Sequence, residues 1–109
     1  MHELSVTQGI VDAVAERFDG ARVLGVRLEI GRLSGVLPDA VRFCFEVVAA
    51  GTAVEGARLD IDEPPGRAHC ADCGADFELA DRIPLCACGS ARVDLLSGAD
   101  LRIVSVEVA

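Results

Sequence analysis

Apolar residues near the start of the chain recur with the period of a helix: Leu4, Val6, Ile10, Val11, Val14, Ala15 and Phe18. Gln8, Asp12, Glu16 and Asp19 occupy the opposite side. The pattern predicts an amphipathic helix over residues 4–19, with Gly20 as its stop. Over residues 22–31 the period changes to two. Val26, Leu28 and Ile30 alternate with Arg27 and Glu29, as in a strand with one solvated face. A turn around Ser34-Gly35 leads to Pro38, which suits the first turn of a second helix. Val41, Cys44, Phe45 and Val48 form that helix's apolar stripe, and Gly51 ends it.

Ala57, Leu59 and Ile61 alternate with Arg58, Asp60 and Asp62 in a second strand, which Pro64-Pro65-Gly66 breaks as a linker. Residues 100–108 read as a last strand with blurred alternation. The order of elements predicts an α+β domain: a three-stranded sheet with two helices on one face, interrupted by an inserted module. Residues 1–66 and 95–109 form the domain, and residues 67–94 form the module.

A chain of 109 residues that is 51 % hydrophobic can build a core, and one domain plus a small module is the natural division. The formal charge of −8 disfavours nucleic acid, which needs a basic surface. Residues 67–96 carry three Arg against four Asp and one Glu, so the module hides no basic patch. No apolar run approaches the roughly 18–20 residues of a membrane span, and no signal peptide opens the chain. Cytoplasm is therefore the expected location, where thiols stay reduced.

Five cysteines are present, and four form two close pairs. Cys70 and Cys73 are followed, after twelve residues, by Cys86 and Cys88; a glycine follows each pair, Gly74 and Gly89. Four thiolates so arranged can close around one Zn²⁺ in tetrahedral coordination. Two disulfides or four unrelated buried cysteines are the alternatives. The second pair is C-x-C where a zinc ribbon normally has C-x-x-C. Cys44, between Phe43 and Phe45, reads as an apolar filler.

The chain opens Met1-His2-Glu3. A terminal amine, an imidazole and the free amides of a helix start offer nitrogen donors on one short segment, a set suited to Ni²⁺ or Cu²⁺. Methionine is normally retained before a residue as large as His, so Met1 would supply the amine. Glu3 could add a carboxylate oxygen or soften the field at the helix N-terminus. From position alone His2 is usually an exposed, frayed residue, and Glu3 a first-turn helix acid.

MHELSVTQGIVDAV at the start, GRLSGVLPDAVRFCFEVV, the paired cysteines and LRIVSVEV at the end together resemble the HypA/HybF family, nickel metallochaperones of [NiFe]-hydrogenase maturation. The resemblance spans nearly the whole chain and implies two metals. Nickel would be cargo, held by His2 with help from Met1 and Glu3, and structural zinc would be held by Cys70, Cys73, Cys86 and Cys88. It implies a non-enzyme whose partners are a HypB-type GTPase and the hydrogenase large subunit. The sequence leaves a homo-oligomer open. The resemblance also offers Asp39, in the SGVLPD turn, as an acid near nickel, although most such acids only serve a helix start. The family's C-P-x-C-G-S is one residue longer than Cys86-Ala87-Cys88-Gly89-Ser90, which leaves His69 as an alternative zinc ligand. A zinc-ribbon interaction module and a rubredoxin-like iron carrier are the competing functions.

Overall fold

The computed structural model describes residues 2–109. Eight elements follow in order: α1 (His2–Arg17), β1 (Val23–Ile30), α2 (Pro38–Ala49), β2 (Arg58–Asp62), β3 (Gly66–Cys70), β4 (Asp76–Leu79), β5 (Val93–Ser97) and β6 (Leu101–Val108). They form two three-stranded sheets, β2-β1-β6 and β4-β3-β5. The architecture is α+β, with the expected sheet of three strands and two helices.

In the first sheet β1 is central, parallel to β2 and antiparallel to β6. A parallel neighbour requires a crossover, and α2 supplies it. Val26, Leu28 and Ile30 point into the core, where they meet Ile10, Val11 and Val14 of α1 and Val41, Phe45 and Ala49 of α2. The opposite face of the sheet is wet and laced with ion pairs: Arg27 with Asp62, Arg58 with Asp60 and Glu107, and Arg102 with Glu29.

α1 departs from the predicted stripe in its first turn. Leu4 is 51 % exposed, while Glu3 and Thr7 are buried. The helix also begins two residues earlier than the apolar pattern suggests, because polar residues extend the buried face. Thr7 Oγ1 donates to the Glu3 carbonyl (2.6 Å), and Glu3 is tied to the start of α2 as described below. α2 follows its stripe, although Phe43 is 72 % exposed and Cys44 is half-buried rather than fully packed.

The second sheet was not legible in advance. Its core is small: Leu33, Ala68 and Leu79, with Phe77, Val93 and Ala99 packed against them. Pro64-Pro65-Gly66 is no loose linker. Arg32 N–H donates to the Pro64 carbonyl (3.0 Å), Leu33 N–H to Gly98 (2.9 Å) and Gly31 N–H to Asp100 (2.9 Å). Three backbone segments thereby form a neck between the sheets, so close that a Cβ on Gly31 would lie 2.2 Å from the Gly98 carbonyl oxygen. Backbone cannot yield as a side-chain tip can. Gly31→Ala should therefore cost about 1–3 kcal/mol, seen as a lowered thermal midpoint; an unchanged midpoint would show that the neck tolerates a methyl group. Among the described residues no helix is long and apolar enough to cross a membrane.

Candidate metal centres

The last residue of β3, Cys70, is fully buried and begins the first of two tight loops. Gly74 N–H donates to the Cys70 carbonyl (2.9 Å), closing a five-residue loop, and Cys70 N–H donates to Ala75 (2.9 Å). Gly74 takes φ +75°, the left-handed region that glycine reaches without strain. The second loop repeats this design with one residue fewer. Gly89 N–H donates to the Cys86 carbonyl (2.9 Å), Cys86 N–H donates to Ser90 (2.9 Å), and Gly89 takes φ +94°. The missing residue is absorbed by closing an i→i+3 turn in place of i→i+4, and both sulfurs still face inward.

The four sulfurs of Cys70, Cys73, Cys86 and Cys88 all lie within 4.8 Å of one another. Cys70 is 3.7 Å from Cys88 and Cys73 is 3.7 Å from Cys86, sulfur to sulfur. A tetrahedral ion with Zn–S bonds of about 2.3 Å has sulfur–sulfur edges of about 3.8 Å. The cluster fits a structural metal such as zinc. All four cysteines are free, with no disulfide among them.

Electrostatics point the same way. N–H groups of Cys73 and Asp72 aim at the Cys70 sulfur and lower its thiol to about 6. Cys88 receives the Ser90 N–H, yet the neighbouring sulfurs of Cys86, Cys70 and Cys73 push it up to about 12. The Cys70 thiolate forms readily, whereas Cys73 and Cys88 resist, because like charges cannot gather there without a cation. Metal must displace these protons, so acid weakens its binding.

His69 has a different partner. Its Nδ1 lies 2.6 Å from Asp76 Oδ1, and its side chain is 40 % exposed. Adjacent strand residues point to opposite faces, which turns His69 away as Cys70 turns in. Asp72, which the sequence did not single out, joins the two loops. It accepts from Ser90 Oγ and from Arg92 Nη1 (2.7 Å), and Ala71 N–H donates to the Arg92 carbonyl (2.8 Å).

At the other candidate site, Met1 lies outside the described residues. The His2 side chain is 58 % exposed, with Nε2 3.6 Å from Glu3 Oε2. Glu3 is buried, and its Oε2 accepts the N–H of Leu37 (3.2 Å), the N-cap residue of α2. The structure thus gives Glu3 a task beyond the first turn: its carboxylate joins the starts of the two helices and stands beside the imidazole. Asp39 is exposed in the first turn of α2. The Leu37 N–H holds the Glu3 carboxyl below its ordinary value of 4.5. A depressed carboxyl contributes stability that is present above its ordinary value and lost as pH falls through its folded value. Glu3→Gln should therefore remove one component of acid unfolding, flattening the stability profile below about pH 4.5; a profile matching that of wild type would show that the Glu3–Leu37 bond contributes nothing.

A sequence profile of the family described as "Hydrogenase/urease nickel incorporation, metallochaperone, hypA" matches residues 1–108. The chain is 47 % identical over 108 residues to the hydrogenase maturation factor HypA of a Nostoc species, covering 99 % of this chain and 96 % of that one. It is 48 % identical over 109 residues to HypA of Geobacter sulfurreducens, covering 99 % of both. The solution structure of the nickel metallochaperone HypA from Helicobacter pylori superposes with a TM-score of 0.67 at 25 % identity, over 99 % of this chain and 97 % of that one. A second HypA solution structure gives 0.70 at 25 % identity, over 100 % and 97 %. Full-length sequence agreement, the shared fold and the four-sulfur cluster lead to one conclusion: the chain belongs to the HypA family of hydrogenase maturation factors, the nickel metallochaperones.

Proposed function

We propose that this chain carries Ni²⁺ on its first residues, with His2 as the principal ligand, and passes it to a hydrogenase large subunit while zinc holds Cys70, Cys73, Cys86 and Cys88. Family membership supports nickel delivery. The observation that carries the division between the two metals is the contrast between the sites. The sulfur cluster buries Cys70 and Cys86 and leaves Cys73 and Cys88 exposed, but four thiolates would satisfy the ion and leave no open coordination position. His2 is largely exposed at the first turn of α1, where amides lack intrahelical partners. An accessible ion with few protein ligands can be handed on; a caged one cannot.

In this reading the Met1 amine and the backbone at Glu3 complete a nitrogen-rich set that suits nickel. The Glu3 carboxylate, fixed by Leu37, holds the helix start in place and adds negative charge beside the imidazole. Residues 67–94 act as a zinc-supported module, and residues 1–66 with 95–109 act as the nickel-carrying domain. The chain would work in the cytoplasm, without catalysis of its own, alongside a HypB-type GTPase.

The test is genetic and chemical together. In cells lacking this chain the hydrogenase large subunit should accumulate without nickel. The wild-type gene should restore its nickel content, and the His2→Ala gene should not. A nickel-replete subunit in the deletion strain would overturn the delivery role.

A further inference from the structure

The edge of the first sheet carries a pattern that the metal sites do not use. β6 is an edge strand, paired on one side only, with β1. Between it and α1 runs an open apolar groove of about 280 Å³, lined by Ala13, Val14, Arg17, Phe18, Ile103 and Val106. Exposed strand edges are templates for pairing with another chain, and monomers usually blunt them.

A register shift in β6 determines what this edge presents. Leu28 faces Ile103 and Arg27 faces Ser105, so Val104 is skipped. Without that bulge Arg102 and Glu107, five positions apart, would fall on opposite faces of the sheet. With it they lie opposite Glu29 and Gly25, four apart on β1 and hence on the same face. Both belong to the wet face, where Arg102 pairs with Glu29 (2.8 Å) and Glu107 with Arg58 (3.0 Å). Ile103 and Val106 both turn to the helix side.

The resulting edge is complementary to itself. We propose that β6 is a homodimer interface, in which two copies pair antiparallel with Leu101 opposite Val108 of the second copy, Arg102 opposite Glu107, and Ile103 opposite Val106. In this register every pair joins like faces: apolar residues meet on the helix side and opposite charges meet on the wet side. The two-fold axis stands perpendicular to the sheet, which becomes six-stranded with all four helices on one face. Each groove then receives Ile103 and Val106 of the other copy at its open side. On the wet face the row Arg58, Glu107, Arg102 of the second copy and Glu29 of the second copy alternates in sign across the seam. Cross-strand opposite charges stabilise such pairs, and like charges directly opposite destabilise them. A second copy is favoured over an unrelated peptide because both the charges and the apolar pairs match under two-fold symmetry. The proposal is independent of where nickel binds.

Sedimentation of the zinc-loaded, untagged chain over a wide concentration range at low salt provides the test. Wild type should dimerise. Arg102→Glu alone and Glu107→Arg alone should each weaken the dimer by about tenfold or more. An equimolar mixture of the two variants should recover it, because each row then joins opposite charges again. Val104→Lys, beside the axis and opposite Ser105 of the second copy, sets two like charges diagonally across the seam and gives a separate reading; it should also be monomeric. Zinc content and circular dichroism confirm that each variant is folded. A monomeric wild type, single variants as dimeric as wild type, or a mixture no better than its components would each overturn the proposal.

Discussion

Removal of zinc is expected to unfold residues 66–97 while the β2-β1-β6 sheet and both helices stay folded. The second sheet has only Leu33, Ala68 and Leu79 as a buried core, and Leu33 belongs to the other side of the neck. Ile83, Leu85, Leu95 and Leu96 are exposed and contribute little burial. Structural zinc contributes about 10–16 kcal/mol in small peptides at neutral pH, more than so small a core can supply. Without the ion, the four sulfurs lose the charge that lets them gather within 4.8 Å. The first sheet has its own core, from Val26, Leu28 and Ile30 with both helices. Amide resonances of β3, β4 and β5 should therefore collapse to unfolded positions after chelation, and those of β1 and α2 should persist. Cys86→Ser should move the protein the same way. Dispersed β3–β5 resonances in the metal-free protein would show that the cluster supports nothing.

The reading of Cys86 rests on local backbone geometry that the sequence could only frame as a choice. Spacing alone left Cys86 and His69 as competitors. Gly89 resolves where the sulfurs go, because its left-handed conformation closes the shorter turn. The Asp76 partner of His69 sits across a strand ladder that was itself hidden. GRAHC, DFEL and VDLLS lack a run of β-branched residues, and pairing between strands creates their structure more than intrinsic preference does. By contrast, alternation at Val26, Leu28 and Ile30 and the part of the helical stripe at Val41 and Phe45 were legible, because burial on one face dictates both.

Glu3 shows the other limit. Its partner, Leu37, is thirty-four residues away, and nothing local distinguishes a clamp between helices from a first-turn acid. Pro64-Pro65-Gly66 misled for a related reason. Turn residues also serve where backbones must pass closely, and only the position of Gly98 reveals that use: a Cβ on Gly66 would meet Leu33 at 2.3 Å, and one on Gly98 would meet the Pro65 oxygen at 2.5 Å.

Extending the chain by a few residues before Met1, or replacing His2 with Ala, should reduce nickel affinity by about a hundredfold or more. Loss of a supporting group around a metal already costs 10–100-fold, and each change here would remove a ligand of the proposed site outright. The extension also converts the amine into an amide nitrogen, leaving the His2 imidazole intact. Zinc content should stay constant in both proteins, since Cys70 and its partners stand on β3 and the loops around it. Titration with nickel under identical buffer conditions reads the effect. Wild-type affinity in either protein would remove the terminal amine or the imidazole from the site.

The central claim is that the two metals occupy chemically separate sites on one chain. X-ray absorption at the nickel and zinc edges of protein carrying one ion of each tests it most directly. The account predicts nickel surrounded by nitrogen and oxygen alone, and zinc surrounded by four sulfurs. Sulfur in the nickel shell, or fewer than four sulfurs around zinc, would contradict it.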